Sequence, residues 1–92
     1  MHATGEIQVI PIGAGVSVRE EVRRAHGVIE ASGLKAELHA NGTNVEGELD
    51  LILGTVARIH ETLHAEGAAR LVSYVKVATR TDKRPTLAGK LF

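Results

Sequence analysis

The 92-residue sequence contains no cysteine and no tryptophan, and it holds only one tyrosine and one phenylalanine. Without cysteine the chain can form neither disulfide bonds nor thiolate sites, a composition compatible with a reducing compartment. Because aromatic residues are scarce, the interior must be built from valine, isoleucine, leucine and alanine, which bury less area per residue. A single domain of residues 1–92 with such a core is marginal alone, which favours further burial through self-association.

Net charge and long apolar runs are also missing. Eleven basic residues balance eleven acidic ones, so no net field draws the chain to nucleic acid or to an anionic membrane. No apolar run approaches the roughly 20 residues of a membrane span, and the first residues lack the pattern of a signal peptide. We therefore expect a cytoplasmic protein with no nucleic-acid partner and no membrane partner.

Local patterns predict four strands and two helices. β-Branched runs or apolar–polar alternation predict strands at Ile7–Ile12, Leu34–Ala40, Thr43–Glu46 and Leu71–Thr79. A capping box of Ser17 and Glu20 predicts the start of the first helix, and Gly33 its end. The second helix is expected from about Leu49 to Gly67.

Each predicted helix carries one apolar stripe at the helical period. The two stripes are Val18, Val22, Ala25 and Ile29, and then Ile52, Val56, Ile59 and Leu63. Gly54 interrupts the second helix, which suggests close approach of a neighbouring backbone there. The order β-α-β-β-α-β predicts an α+β, ferredoxin-like fold with two helices on one face of a four-stranded antiparallel sheet. This fold hosts many unrelated functions, so it does not decide what the protein does.

The last predicted strand has apolar residues on both faces. A two-layer domain buries only one face of its sheet, so the second apolar face indicates another cover, most simply a second copy of the chain.

The segment from His39 to Glu48 concentrates polar groups between a predicted hairpin and a helix start. Asn41-Gly42 is typical of a two-residue type I′ turn. Thr43, Asn44 and Glu46 then supply a hydroxyl, an amide and a carboxylate within a few residues, as recognition sites do. The alternative is a tight turn in which Thr43 and Asn44 bond only their own backbone.

One motif points to metal chemistry. His60-Glu61-Thr62-Leu63-His64 matches the H-E-x-x-H signature of zinc proteases on a predicted helix. No histidine follows His64 to supply a third ligand, so boundary histidines of an apolar stripe are the favoured interpretation, with adventitious metal binding left open. No serine or threonine has the context of a nucleophile, and no carboxylate pair indicates acid–base work. We expect no enzyme activity, no cofactor and no dedicated metal site.

Several short blocks together resemble the thiamine-binding protein family, also described as YkoF-like. These blocks are Val9–Gly13 with Ser17-Val18, Ser32-Gly33-Leu34, Gly42-Thr43, Val45-Glu46-Gly47, and Gly67 with Arg70. The resemblance covers nearly the whole chain. It implies a ferredoxin-like subunit, a homo-oligomer that is typically a tetramer built from dimers, and binding of thiamine or its hydroxymethylpyrimidine half without catalysis. Relatives usually carry Pro-Met where this chain has Ala40-Asn41, so the rim of the pocket and the preferred ligand are expected to differ.

The chemistry of such a ligand suggests roles for individual residues. Thiamine is a cation with an aminopyrimidine ring, so its site needs a carboxylate, hydroxyl or amide partners, and apolar walls. Glu46 fits the first demand, and Thr43, Asn44 and Ser17 the second. The remaining expected site residues are Gln8, His39 and, as a stacking platform, Tyr74.

Three hypotheses follow. The first is a non-catalytic carrier, buffer or sensor for thiamine-like pyrimidines. The second is a regulatory or interaction oligomer whose pocket is vestigial. The third and most remote is a zinc hydrolase acting through His60 and His64.

Overall fold

The computed structural model describes residues 1–13 and 19–90. Within these residues the elements are β1 (His2–Pro11), α1 (Arg19–Ala31), β2 (Lys35–His39), β3 (Gly42–Glu48), α2 (Leu49–Ala65), β4 (Leu71–Ala78) and a 3₁₀ turn (Ala88–Lys90). The strands form one antiparallel sheet in the order β2-β3-β1-β4, and both helices pack on the same face of it. The predicted ferredoxin-like α+β fold is confirmed.

The core lies between the helices and the sheet. Its most buried side chains are Ala3, Ile7 and Val45 from the sheet, Ala25 and Ile29 from α1, and Ile52, Ile59 and Leu63 from α2. The predicted helical stripes therefore supply most of the helical half of the core, as their period requires. No helix in the described part of the chain is long and apolar enough to cross a membrane.

Strand alternation gives the sheet two chemically different faces. In β1 the odd-numbered residues, such as Ala3 and Ile7, point into the core, so the even-numbered residues point the other way. The cross-strand register carries this alternation onto β2, β3 and β4. We call the side without helices the open face; it carries most of the sheet's charged residues.

Several strand boundaries differ from the sequence prediction; β3, for example, extends to Glu48 rather than ending at Glu46. β1 begins at His2 rather than Ile7, because the polar half of the strand lies in the middle of the sheet and pairs with both β3 and β4. The hairpin turn consists of Ala40 and Asn41, not Asn41 and Gly42, since His39 pairs with Gly42. A Cβ on Gly42 would lie 3.0 Å from the carbonyl oxygen of Ile7, a tight contact that a larger residue could make only with a small shift of β1.

The predicted helix ends are confirmed by backbone geometry. Gly33 (φ 91°) and Gly67 (φ 109°) adopt the left-handed conformation that follows a helix C-terminus. The predicted capping residue Ser17 and the stripe residue Val18 lie outside the described residues. The close approach suggested for Gly54 is wrong, because nothing lies within 4 Å of the position a Cβ would take there.

The segment after β4, residues 79–90, crosses the open face of the sheet. The amide of Leu87 donates a 2.9 Å hydrogen bond to Oε1 of Glu46, an open-face residue of β3, and Pro85 is buried. Its one regular element is the 3₁₀ turn at Ala88–Lys90. It gives part of the open face a cover from the same chain.

Candidate functional site

A cleft of about 260 Å³ opens between α1 and the sheet. We call it the helix-side cleft. Its walls are residues 7–10 of β1, residues 38–43 of the β2–β3 hairpin, and Val22, Ala25, His26 and Ile29 of α1. Most of these side chains are apolar, while a few polar groups lie at the hairpin end, an arrangement common in small-molecule sites.

The floor of the helix-side cleft includes a free strand edge. β1 pairs with β3 only as far as Ile7, which lies opposite Thr43, whereas its pairing with β4 continues to Pro11. Among residues 1–13 and 19–90, Gln8, Val9 and Ile10 therefore have no strand partner on the side where they line the cleft. Each strand residue carries one backbone N–H and one C=O, so this edge offers donors and acceptors at fixed positions to a ligand.

Two side chains, Thr43 and His26, add polar groups to the helix-side cleft, whereas the ring of His39 lies on the open face beside Glu6. Thr43 is only 4% exposed and lies on the helix side of β3. His26 has its Nε2 2.8 Å from Oε1 of Glu30, while its buried Nδ1 has no hydrogen-bond partner within residues 1–13 and 19–90. His39 accepts the amide of Asn41 at Nδ1 (3.2 Å). Its Nε2 lies 3.0 Å from Glu6 Oε2, but the angles do not form a hydrogen bond.

The predicted site residues fall into two groups. Thr43, Gln8 and His39 line the helix-side cleft. Gln8 and His39 are open-face residues by alternation, so we attribute their contribution to the cleft to their backbones. Ser17 lies outside the described residues.

Asn44, Glu46 and Tyr74 instead lie on the open face. They alternate with the core residues of β3 and β4, and none of them lines the helix-side cleft. Tyr74 is 63% exposed. The expected cluster of Thr43, Asn44 and Glu46 around one ligand is therefore not formed, because neighbours in a strand point to opposite faces.

The Glu46 carboxylate is engaged by protein groups at both oxygens. Oε1 accepts the Leu87 amide at 2.9 Å and Oε2 lies 3.2 Å from Nε2 of His2. The side chain is 14% exposed. The Leu87 hydrogen bond lowers the pKa of Glu46 below its ordinary value, with smaller lowering effects from His2 and Lys35. The geometry thus gives this carboxylate a structural role, in which it holds residues 79–90 against the sheet.

Some cleft residues were not predicted as site residues. His26 lines the cleft but is not among the predicted site residues. Val22 was predicted as core, but it is 40% exposed and lines the cleft. One sequence signal could have indicated His26 as a site residue, because its imidazole lies at the margin of the apolar stripe of the first helix.

The H-E-x-x-H motif is occupied by local contacts. His60 Nε2 lies 2.6 Å from the hydroxyl of Ser73 on β4, and His64 Nδ1 lies 2.8 Å from the carbonyl oxygen of Ala68. The described ranges contain no group of three or more His, Cys, Asp or Glu residues placed to hold a metal ion. Nothing in this arrangement supports a zinc hydrolase.

Comparison with known proteins gives consistent matches. The family model for thiamine-binding proteins matches residues 5–92. The UPF0045 protein sll0230 of Synechocystis is 40% identical over 91 residues, which cover 99% of this chain and 75% of that protein. The UPF0045 protein MJ1052 of Methanocaldococcus jannaschii is 40% identical over 86 residues, which cover 94% of this chain and 85% of that protein.

Solved structures agree with the fold. The crystal structure of MJ1052 superposes with a TM-score of 0.90 at 38% identity, covering 98% of this chain and 92% of that one. A Thermotoga maritima protein, TM0486, provisionally described as a thiamine biosynthesis/salvage protein, superposes with a TM-score of 0.87 at 26% identity, covering 99% and 96%.

Proposed function

Because the chain belongs to the thiamine-binding protein family, we propose that its helix-side cleft binds the aminopyrimidine ring of thiamine or hydroxymethylpyrimidine without catalysing a reaction. The protein would serve as a cytosolic carrier, buffer or sensor of that ligand. The observation that carries this proposal is the free edge of β1 at Gln8–Ile10 inside an otherwise apolar cleft.

An aminopyrimidine fits the chemistry of this edge. The ring carries an amino donor next to a ring-nitrogen acceptor. These two groups can hydrogen-bond to a backbone C=O and N–H of β1, as a neighbouring strand would. The hydroxyl of Thr43, which lines the cleft, offers a further partner. The apolar side chains of Ala25 and Ile29 supply a wall for the ring.

The size of the cleft favours the ring over the whole vitamin. At about 260 Å³ it is smaller than the roughly 300–1,000 Å³ typical of drug-sized ligands. The positively charged thiazolium ring of thiamine would then lie at the mouth. The carboxylate of Glu30, which accompanies His26, would offset its charge there.

Isothermal titration calorimetry with thiamine and with hydroxymethylpyrimidine tests this function. We expect saturable binding of both compounds, weakened about tenfold in Thr43→Val, since loss of one hydrogen bond in a buried site costs about 1 kcal/mol or more. Thr55→Val is the matched control, because Thr55 is as buried as Thr43 but lies on α2 and bonds the carbonyl oxygen of Leu51. Heats no larger than dilution for both compounds would contradict the proposal.

The edge strand β4 supports self-association into a tetramer built from dimers. Tyr74, Val75 and Val77 are 63%, 38% and 43% exposed, and β4 has no strand partner on its outer side among the described residues. An exposed apolar edge strand is a template for pairing with another chain. Light scattering coupled to gel filtration should show an oligomer that Val77→Lys dissociates, while Lys83→Gln, outside this edge, leaves it intact. A monomer at all concentrations would contradict this part of the proposal.

A further inference from the structure

A small cavity lies within the segment that follows β4. It has a volume of about 180 Å³, and every described residue that lines it belongs to residues 79–90. We call it the basic cavity, because its charged lining residues are Arg80, Lys83, Arg84 and Lys90. We propose that the basic cavity binds a small phosphate-bearing anion, with a diphosphate as the best match.

The charge of residues 79–90 differs from that of the whole chain. The segment contains four basic residues and one acidic residue, Asp82, and so has a net charge of +3, whereas the 92 residues together have no net charge. All four basic residues line the basic cavity, and Asp82 does not. A concave surface lined by charges of one sign concentrates the electric field inside it. The basic cavity therefore attracts anions although the chain as a whole does not.

Three of the four cations of the basic cavity are available to a ligand. Arg80 is the exception, because its Nε donates a 2.6 Å hydrogen bond to Asp82 and its Nη2 donates to the second oxygen of the same carboxylate. The other three cations form no ion pair within residues 1–13 and 19–90. Glu48, on whose carboxylate the charge of Arg84 acts, already pairs with the N-terminal ammonium at 3.0 Å. The guanidinium of Arg84 thus keeps its donors for a ligand.

Hydrogen bonds and burial hold the backbone around the basic cavity in place. The Leu87 amide donates a 2.9 Å hydrogen bond to Glu46 of β3, and Pro85, which lines the cavity, is buried. Within the segment, the amide of Gly89 donates a 2.9 Å hydrogen bond to Oγ1 of Thr86, and both of these residues line the cavity. A backbone that is already ordered loses less entropy when a ligand binds. The exposed cationic side chains are therefore attached to a preorganised backbone.

The charge and the size of the basic cavity decide the class of ligand. A guanidinium can bind two phosphate oxygens side by side, and lysine ammonium groups act as additional point charges. A single carboxylate carries one negative charge, which would leave most of the cations uncompensated. The volume of about 180 Å³ is below the roughly 300–1,000 Å³ of sites for drug-sized ligands. A diphosphate combines several negative charges with a small body, so it matches both properties.

Calorimetric titration of the full chain with sodium diphosphate, at physiological ionic strength, tests the proposal. We expect saturable binding of diphosphate and no measurable binding of sodium acetate. Absence of saturable heat with diphosphate at millimolar concentration, or equal binding of acetate, would overturn the proposal. Vesicles that contain phosphatidic acid form a second arm of the experiment. Retention on these vesicles without binding of free diphosphate would also overturn it, because the ligand would then be a membrane surface.

Variants test whether the cations of the basic cavity are responsible. Arg84→Gln and Lys90→Gln, both at exposed positions, should each weaken diphosphate binding about fivefold, the loss expected for one well-placed exposed ion pair. Arg58→Gln is the matched control, because it removes the same charge from an exposed position of α2, and it should leave the affinity within about twofold of wild type. Equal losses in all three variants would indicate general attraction by charge and would overturn the site. Unchanged affinity in both cavity variants would do the same.

Amide NMR then separates the basic cavity from the helix-side cleft. Diphosphate should shift the amide signals of Thr86 and Gly89, whereas hydroxymethylpyrimidine should shift those of Val9 and Thr43. Diphosphate shifts confined to Val9 and Thr43 would place the anion in the helix-side cleft and would overturn the proposal. Failure of one site is thereby distinguishable from failure of the other.

Discussion

Replacing Glu46 with alanine separates a structural role for this carboxylate from a ligand-binding one. In the folded chain both carboxylate oxygens already have protein partners, the Leu87 amide at 2.9 Å and the His2 ring at 3.2 Å. The side chain is 14% exposed, so solvent replaces these contacts poorly. The Ala variant should therefore release residues 79–90 from the sheet.

The expected magnitude follows from the two lost contacts. Hydrogen bonds to a charged group contribute about 1.5–3 kcal/mol each when well buried. Since the Leu87 amide can reach water after release, we take about 2 kcal/mol as the total loss in the free energy of unfolding. For a domain of this size that lowers the melting temperature by on the order of 10 °C.

Thermal unfolding and calorimetric titration with hydroxymethylpyrimidine should be measured on the same preparations. We expect Glu46→Ala to lower the melting temperature and to leave pyrimidine affinity within about twofold of wild type, a difference of roughly 0.4 kcal/mol. Glu48→Ala is the matched control, because it removes a carboxylate from the same strand and face that is 60% exposed. Unchanged stability combined with a large loss of pyrimidine affinity would refute the structural role and would place Glu46 in the ligand site.

Three further changes have outcomes that the structure specifies. Gly54→Ala should raise the free energy of unfolding by about 1 kcal/mol in a denaturant titration. Gly54 is exposed inside α2 and nothing lies near the position of its Cβ, so alanine adds helix propensity without a clash. A loss of stability would be inconsistent with that geometry. Gly5→Ala should prevent stable folding, as judged by circular dichroism, because its Cβ would overlap the backbone carbonyl of Lys76; a native-like melt would disprove the contact. Folding lowers the pKa of Glu46, so its carboxylate contributes fully to the free energy of unfolding above the ordinary glutamate pKa of about 4.3. That contribution is lost as the pH falls through the pKa of the folded state. Acid titrations should therefore show a smaller loss of stability in Glu46→Gln than in wild type, and superimposable losses would contradict this role of Glu46.

The fold was predictable because its signals are local. The helical stripes ending at Ile29 and Leu63, and the glycines at 33 and 67, specify both helices and their ends without reference to the rest of the chain. The start of β1 was not predictable in this way. Its first half is polar on one side, and only pairing with β3 and β4, which are distant in sequence, makes it a central strand.

Glycines show the same division between local and long-range information. Gly54 in a helix suggested a close approach that does not exist, whereas Gly5 and Gly47, for which no close approach is predicted, do lie close to Lys76 and Leu34. A glycine's neighbours across a sheet follow from strand register, which one sequence does not contain. The contact between Glu46 and Leu87, 41 residues apart, was hidden for the same reason.

The candidate site was misjudged for a different reason, because the needed information was in the sequence. Once Thr43–Glu46 is a strand, alternation requires Thr43 and Val45 to share one face and Asn44 and Glu46 the other. Grouping Thr43 with Glu46 treated proximity along the chain as proximity in space. With the faces separated, Thr43 belongs with the exposed edge of β1 in the helix-side cleft, and Asn44 belongs with Glu6 and Lys76 on the open face. One short strand thus contributes to two faces of different chemistry, and a single substitution in it should affect only the face on which its side chain lies.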